Sequence, residues 1–502
     1  MRFLPAASAF FGLCAAEYNT WPHQTFKSSS LEPPNLKITK SGPTSPGYLF
    51  FDQSWSAHQY GVFIMSDENE LVWQSPRGDL HDFRVQTLDG KPVLTYWNGL
   101  AVPEPFGWGY GLIQILDQNY ESLYNVTVTD DNYQSLGYIN STSFYSWLDM
   151  HEGTITSEGT MLATGYNVTR ADLSAVGGPK NGWVADSLFY EIDIKTNEIL
   201  YRWSALDHVD EITLESVQQF YPVSDWGRNS SAPYGYFHIN SVEKFADGAY
   251  LISSRYFSSL FRIAQDGSVD WTLQGKDGGD FKLAHGLHFT YQHDARIHHE
   301  GDGHLLISIF DNDNSDVHNG THHTEGIYMD VNTYTREVRP LLLLDDPKDE
   351  IYATSQGNVQ RLPNGHSIMG YGSNPKIKEY SANGTCVMTA QFGPNEVVAS
   401  YRGYRYPWVG TPNTAPDAFA CVDRIHNQTN IYMSWNGATE HNVWRVSGGV
   451  TRDALRPVAD ARRTGFETVA IAKGALAFVQ AEAQGMGIKP GVSQVVPVRT
   501  HC

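Results

Sequence analysis

Five polar residues recur in one phase of the chain. His81 stands nine residues before Gly90, His151 eight before Gly159, His238 ten before Gly248, His293 ten before Gly303 and Asn358 seven before Gly365. An imidazole can attack as a nucleophile, move a proton or donate to an oxygen, so histidines gathered from several repeats make a competent transfer site. Asn240 and Arg255 follow His238, and Arg296 follows His293 by three. These side chains add a neutral donor and cations suited to the oxygens of an anion.

The elements that must position them repeat as well. Each polar residue leads into a short strand, a Gly-containing turn and an apolar strand, as in HINSVEKFADGAYLISSR and HDARIHHEGDGHLLISIFDN. That is a hairpin signature. A second hairpin type lies between them, typified by LFYEIDIKTNEILYRW, with relatives at SLFRIAQDGSVDWTL and IYMDVNTYTREVRP. Two alternating hairpin types predict four-stranded antiparallel blades, and radial repetition of blades is a β-propeller. The fold class expected is therefore all-β, a six-bladed β-propeller with the recurring His and Asn on the inner strands, meeting at the channel.

The domain organisation that follows is a Pro-rich extended arm over residues 17–46 and one propeller domain over residues 47–502, with the final strands returning to complete the first blade. The stretch ADLSAVGGPKNGWVADS reads as a loop overhanging the channel mouth, and the best helix candidate is Glu211 to Tyr221.

The formal net charge of −20 argues against nucleic acid or an anionic membrane surface as partner. Residues 1–16, MRFLPAASAFFGLCAA, read as a secretory signal peptide. Sequons at Asn125, Asn140, Asn167, Asn229, Asn319, Asn383 and Asn427 agree with passage through the secretory route, so a secreted glycoprotein is expected. No apolar run is long enough for a membrane span. Cys14 would leave with the signal peptide, which pairs Cys386 with Cys421 and leaves Cys502 over.

Other chemistries find less support. DNDNSD, from Asp311 to Asp316, begins like a calcium loop but lacks the Gly and Glu that such a loop needs. His298, His299, His318, His322 and His323 match no standard zinc spacing, and neither GxSxG nor HExxH occurs. No metal and no cofactor is expected.

FHINSV with ISSR after it, YQHDAR with IFDN after it, QGNVQRLPNG and SWNGATE together resemble the arylsulfotransferase-like propellers, in particular their secreted fungal branch. In the bacterial aryl sulfotransferases of this superfamily the histidine matching that of YQHDAR carries sulfate, so the resemblance implies His293 as nucleophile. It implies His238, Asn240 and Arg255 around the sulfuryl oxygens and His151 beside the phenol; Arg296, Asn358 and Thr439 are further candidate substrate contacts. Those bacterial enzymes carry an N-terminal β domain used in dimerisation, and the thirty or so residues ahead of the first strand here are too few for one.

The fungal branch also contains hetero-Diels–Alder cyclases that join a tropolone o-quinone methide to a terpene alkene. The same pocket would serve by orienting diene and alkene, with His293, His238 and Arg255 bonded to the quinone methide oxygens. The expected substrate is an oxygenated aromatic small molecule, together with a terpene for the cyclase. The cyclase is the first reading, sulfate transfer through His293 the second, and a propeller that only binds a ligand or protein the third.

Overall fold

The computed structural model describes residues 21–102, 107–217, 227–315, 320, 322–485 and 489–502. The candidate signal peptide, Cys14, His318 and Asn319 lie outside them. The described residues are arranged in seven sheets, and their helical turns are four short 3-10 segments. Strands rich in Val, Ile, Phe and Tyr are punctuated by residues that tolerate left-handed backbone, which favours hairpins over helices. The five repeat glycines, Gly90, Gly159, Gly248, Gly303 and Gly365, have φ between 74° and 87° and so do turn the chain as expected.

Six strands lie innermost in their sheets: Leu80–Leu88, Leu148–Ile155, Ile239–Lys244, His293–Gly301, Asn358–Arg361 and Gly403–Tyr406. Each contacts the next in that order, and the last contacts the first. Their sheets run outward as antiparallel hairpins, and the sheets begun by Leu80–Leu88 and Leu148–Ile155 are joined through one residue pair, Gly111 with Leu148. Apolar side chains fill the spaces between neighbouring sheets; Phe189, Trp203, Tyr250 and Phe261 form one such layer.

The ring is completed differently from the sequence-based expectation. Gly403–Tyr406, not the final strands, pairs with Tyr48–Trp55. The strands from Asp417 to Pro497 pair among themselves in two further sheets with their own core of Ile431, Trp444 and Val479. Glu467–Lys473 and Phe478–Gln484 each bury every second residue. Each sheet thus has one apolar face, and two such faces cover each other without needing the ring.

Three smaller expectations also change. The arm contributes a strand, Lys37–Lys40, paired with Cys386–Gln391. The expected overhanging loop is shorter, because Thr160–Ala171 and Gly182–Asp193 pair as far as Ala171 with Gly182 and leave residues 172–181 as the loop. The helix candidate shows only a 3-10 turn at Leu214–Val217 before the described residues stop at 217.

The disulfide joins Cys421 to Cys502, and Cys386 is a free thiol. Val422 N–H donates to Arg499 O at 2.9 Å and Arg499 N–H to Ala420 O at 2.8 Å, which brings the tail beside Cys421. The Cα atoms of Cys421 and Cys502 are 5.1 Å apart, within bridging reach. Cys386 belongs to a sheet of the ring, away from the pair.

Candidate active site

Inner strands start irregularly, and this is what aims their side chains. The pairing register shifts between His81 and Arg84, between Ile239 and Ser241, and between His293 and Arg296. Asp82, His238 and Asp294 adopt left-handed φ values of 53°, 59° and 55°. A bulge with a left-handed residue bends the strand and breaks strict alternation. In HDFR and HDAR the histidine consequently enters a cavity while the acid after it joins a charged layer below.

That cavity, of about 280 Å³, is lined by His81, His151, His238, Arg255 and His293, together with Gln356 and Tyr401. Its volume lies at the small end for a ligand site, adequate for one aromatic ring with its substituents. Val102 and Met150 give it apolar wall, and Trp55 stands at its partly exposed side.

His293 is held in one tautomer. Its Nδ1 lies 2.7 Å from Asn312 Oδ1 and 3.1 Å from Tyr291 O, both acceptors, so Nδ1 carries the hydrogen. Asn312 is oriented in turn because its Nδ2 donates to Ala353 O and Gln356 O, each at 3.1 Å. The Nε2 lone pair of His293 therefore faces the cavity, where Gln356 N–H donates to it at 3.2 Å. Burial, then Arg255, pushes the imidazole well below its usual range, so it is neutral and keeps that lone pair.

Opposite lies a chain of three groups. Asp149 Oδ2 is 2.5 Å from His151 Nδ1 and also accepts from Thr164 Oγ1 at 3.0 Å. With the hydrogen on Nδ1, His151 presents its Nε2 lone pair to His238 Nε2 at 3.2 Å. His238 is neutral because burial, then His151 and Arg255, hold it far below the imidazole range. It donates through Nε2, which leaves its buried Nδ1 as a bare acceptor with no hydrogen-bond partner.

Arg255 donates to Thr354 O at 3.0 Å and lies over the rings of Tyr256 and Tyr291 at 5.6 and 5.9 Å. His81, unlike His238 and His293, is charged. Burial opposes its protonation, but Asp79 at 3.0 Å and Asp52 at 3.3 Å raise its pKa to about 10.

Below the cavity the channel is closed by Arg84, Arg296 and Arg402 against Asp82, Glu152, Glu243 and Asp294. Arg402 is fully buried and donates to Asp82 Oδ1 at 3.2 Å, His151 O at 2.9 Å and Asn240 O at 3.0 Å. It thus links three inner strands from a fourth.

Of the residues singled out from sequence, His151, His238, Arg255 and His293 meet in the cavity. Asn240 instead donates to Gln292 O at 2.7 Å, and Arg296 belongs to the floor. Asn358 exchanges two bonds with Gly403, closing the ring between Asn358–Arg361 and Gly403–Tyr406. Thr439 lies in the connection between Gln428–Ser434 and Val443–Gly449, bonded to Gly410 and Glu440, and does not line the cavity. Sequence reasoning missed Asp149, Asn312, Gln356 and Tyr401, and saw His81 only as part of the repeat. The duplicated HDFR and HDAR would have flagged His81. Among the sequons, Asn125, Asn140, Asn229, Asn383 and Asn427 are exposed; Asn167 is half-buried, its Oδ1 bonded to Gln134 N.

An all-β ring whose inner strands bring histidines to one cavity, with Arg255 added from just beyond Tyr250–Ser254, defines a protein with a site at the centre of its ring. The chain belongs to the arylsulfotransferase (ASST) family, whose sequence model matches residues 84–393. That span holds His151, His238, Arg255 and His293 and stops short of the ring-closing strand. No curated protein matches the chain. Solved structures similar to it include a protein of unknown function from Bacteroides caccae, at 12% identity over 72% of this chain and 98% of that one, with a TM-score of 0.39. A streptogramin B lyase is similar at 11% identity over 72% and 89%, with a TM-score of 0.32. An α-L-arabinofuranosidase, Arb93A, from Fusarium graminearum is similar at 11% identity over 86% and 98%, with a TM-score of 0.33.

Proposed function

We propose that the protein is a secreted enzyme that transfers a sulfuryl group between phenolic oxygens through His293, in a six-bladed propeller whose blades are the sheets begun by the six inner strands. The observation that carries this reading is the fixed tautomer of His293. Asn312 and Tyr291 hold Nδ1–H, so a neutral, nucleophilic Nε2 points into a cavity that also holds Arg255.

The step balances simply. Nε2 attacks the sulfur of an aryl sulfate, the N–S bond forms as the S–O bond to the aryl group breaks, and the phenolate leaves with the bonding pair. Arg255 lies beside the sulfuryl oxygens and offsets their charge. His238 Nδ1, a bare buried acceptor, takes the proton of the incoming phenol as its oxygen attacks sulfur and the N–S bond breaks. For this cycle the Gln356 N–H must leave Nε2, which costs one hydrogen bond, about 1 kcal/mol.

That same bond favours a second reading. With Nε2 engaged by Gln356, and Val102 and Met150 beside the polar groups, the cavity suits a hetero-Diels–Alder cyclase that orients a tropolone o-quinone methide against a terpene alkene.

One experiment separates them. The purified glycoprotein is incubated with a chromogenic aryl sulfate and an acceptor phenol, then quenched for intact mass and peptide mapping. Sulfate exchange with an adduct on His293 is expected. A folded protein with neither turnover nor adduct would overturn transfer; incubation with a quinone methide precursor and a terpene then distinguishes a cyclase from a protein that only binds.

A further inference from the structure

A second cluster lies away from the cavity, where two strands of the His293 sheet end. Glu325 opens Glu325–Asn332, and Asp345 follows Glu337–Leu344. Their strands pair up to Gly326 with Leu344, so Glu325 and Asp345 are the next residues outward on opposite strands. His323 precedes Glu325 by two, the spacing that returns a side chain to the same face. One ligand atom from each of the three lies within 4.8 Å of the others.

His323 Nε2 is 2.7 Å from Asp345 Oδ1 and 3.5 Å from Glu325 Oε1. Both His323 Nε2 and Asp345 Oδ1 are shielded from solvent, and they meet as an ion pair without the alignment of a hydrogen bond. With its hydrogen on Nδ1, His323 would offer the Nε2 lone pair to a cation that both carboxylates also reach. One imidazole nitrogen with two carboxylates is a donor set for Zn²⁺ or a similar divalent ion, with a fourth position left open.

We propose that His323, Glu325 and Asp345 bind one such ion, and that the ion braces the segment that carries one wall of the cavity. Thr324, between two of the ligands, donates its N–H to Ile351 O at 2.7 Å, and its Oγ1 accepts from Ala353 N at 2.8 Å. The same Oγ1 donates to Asn312 O at 3.2 Å. Two and three residues beyond Ala353 come Ser355 and Gln356 of the cavity wall, and Thr354 O holds Arg255. The site is a positioning device and its existence does not depend on which reaction the cavity performs. Spacing among histidines alone could not find it, because two of its three ligands are acids reached across the sheet.

The full-length protein, dialysed against EDTA, is titrated with Zn²⁺ alone by calorimetry and followed by thermal unfolding. One equivalent is expected to bind, and at a hundredfold excess over Kd the Tm rises by about 3 °C. His323→Ala and Asp345→Asn each weaken binding by about tenfold or more, whereas the double variant His288→Ala/His322→Ala leaves it unchanged. His323→Lys keeps a cation between the carboxylates but offers no metal ligand. If Zn²⁺ binds His323→Lys as tightly as wild type, or binds neither with a change in Tm, the cluster is an ion pair and the proposal fails.

Discussion

The cavity and the charged floor beneath it are built from the same strands, often from adjacent residues, and they handle burial in opposite ways. His81 and Asp82, His151 and Glu152, His293 and Asp294 are neighbours in sequence, yet the first of each pair reaches the cavity and the second the floor. In the floor every guanidinium meets carboxylates: Arg84 lies 2.6 Å from Glu152, Arg296 is 2.8 Å from both Glu152 and Asp294, and Arg402 is 3.2 Å from Asp82. In the cavity two histidines stay neutral, and His238 keeps an atom without a partner. Opposed charges hold the floor in one geometry; the neutral groups of the cavity retain capacity for a substrate.

Removing the floor's central residue should break the comparison most severely. Arg402→Ala leaves Asp82, His151 O and Asn240 O without their shared donor, and the loss is about 3–5 kcal/mol, as for one partner of a buried pair. Urea unfolding measures it. A variant as stable as wild type would mean that the floor does not hold the inner strands together.

His293→Ala should do the reverse, costing at least about 10³-fold in sulfate exchange while the unfolding midpoint moves little. Retained exchange would remove His293 as nucleophile. A smaller and more diagnostic change is Asn312→Asp. The carboxylate still accepts from Nδ1 but draws the proton on to the imidazole more strongly and no longer donates to Ala353 and Gln356. Exchange falls by about 10²-fold, the size of effect expected when a nucleophile is slightly misplaced. The acid limb of the kcat/KM profile also moves to higher pH, which a merely structural role for Asn312 would not produce.

How much of this was legible beforehand follows from the range of each interaction. The repeat of hairpins, the turn glycines and the gathering of His151, His238, Arg255 and His293 rest on local pattern and phase, and sequence carries both. The partners that set their chemistry do not share that phase. Asn312 reaches His293 from the end of the next strand and Gln356 from a loop sixty-three residues on, while Asp149, two residues before His151 on the same face of its strand, stands outside the repeated position. Asn358 kept its phase but took a closing role, because Gly403 approaches it as the chain returns. The disulfide depended on the path of the tail beside Ala420 and Val422, which no spacing of cysteines encodes.

The two regions also differ in how they should respond to pH. His81 holds its proton in the fold, with a pKa raised to about 10 against an ordinary value of 6.5. Its contribution is complete below pH 6.5 and is lost as pH rises through 10, at up to about 1.4 kcal/mol per pH unit. His238 and His293 lie below the ordinary value, so the unfolded chain takes up their protons first and stability falls as pH drops under 6.5. Unfolding midpoints across pH should show loss on both sides, and His81→Gln should flatten the alkaline side alone. An unchanged alkaline slope would show that Asp52 and Asp79 do not keep His81 charged.

The smallest effect is expected where sequence resemblance pointed but the fold does not. Thr439 lies among strands whose core is Ile431, Trp444 and Val479, and its hydroxyl is already engaged by Gly410 N–H at 3.0 Å and by Glu440 at 2.8 Å. Neither bond reaches the cavity. Thr439→Ala should therefore change kcat/KM by less than about twofold, with a stability loss of about 1 kcal/mol for the hydrogen bonds removed. A tenfold loss of activity at unchanged stability would instead mean that the C-terminal sheets move against the ring during turnover and bring Thr439 to the substrate. In that event the boundary drawn here between a working cavity and a passive remainder would have to be extended past Tyr406.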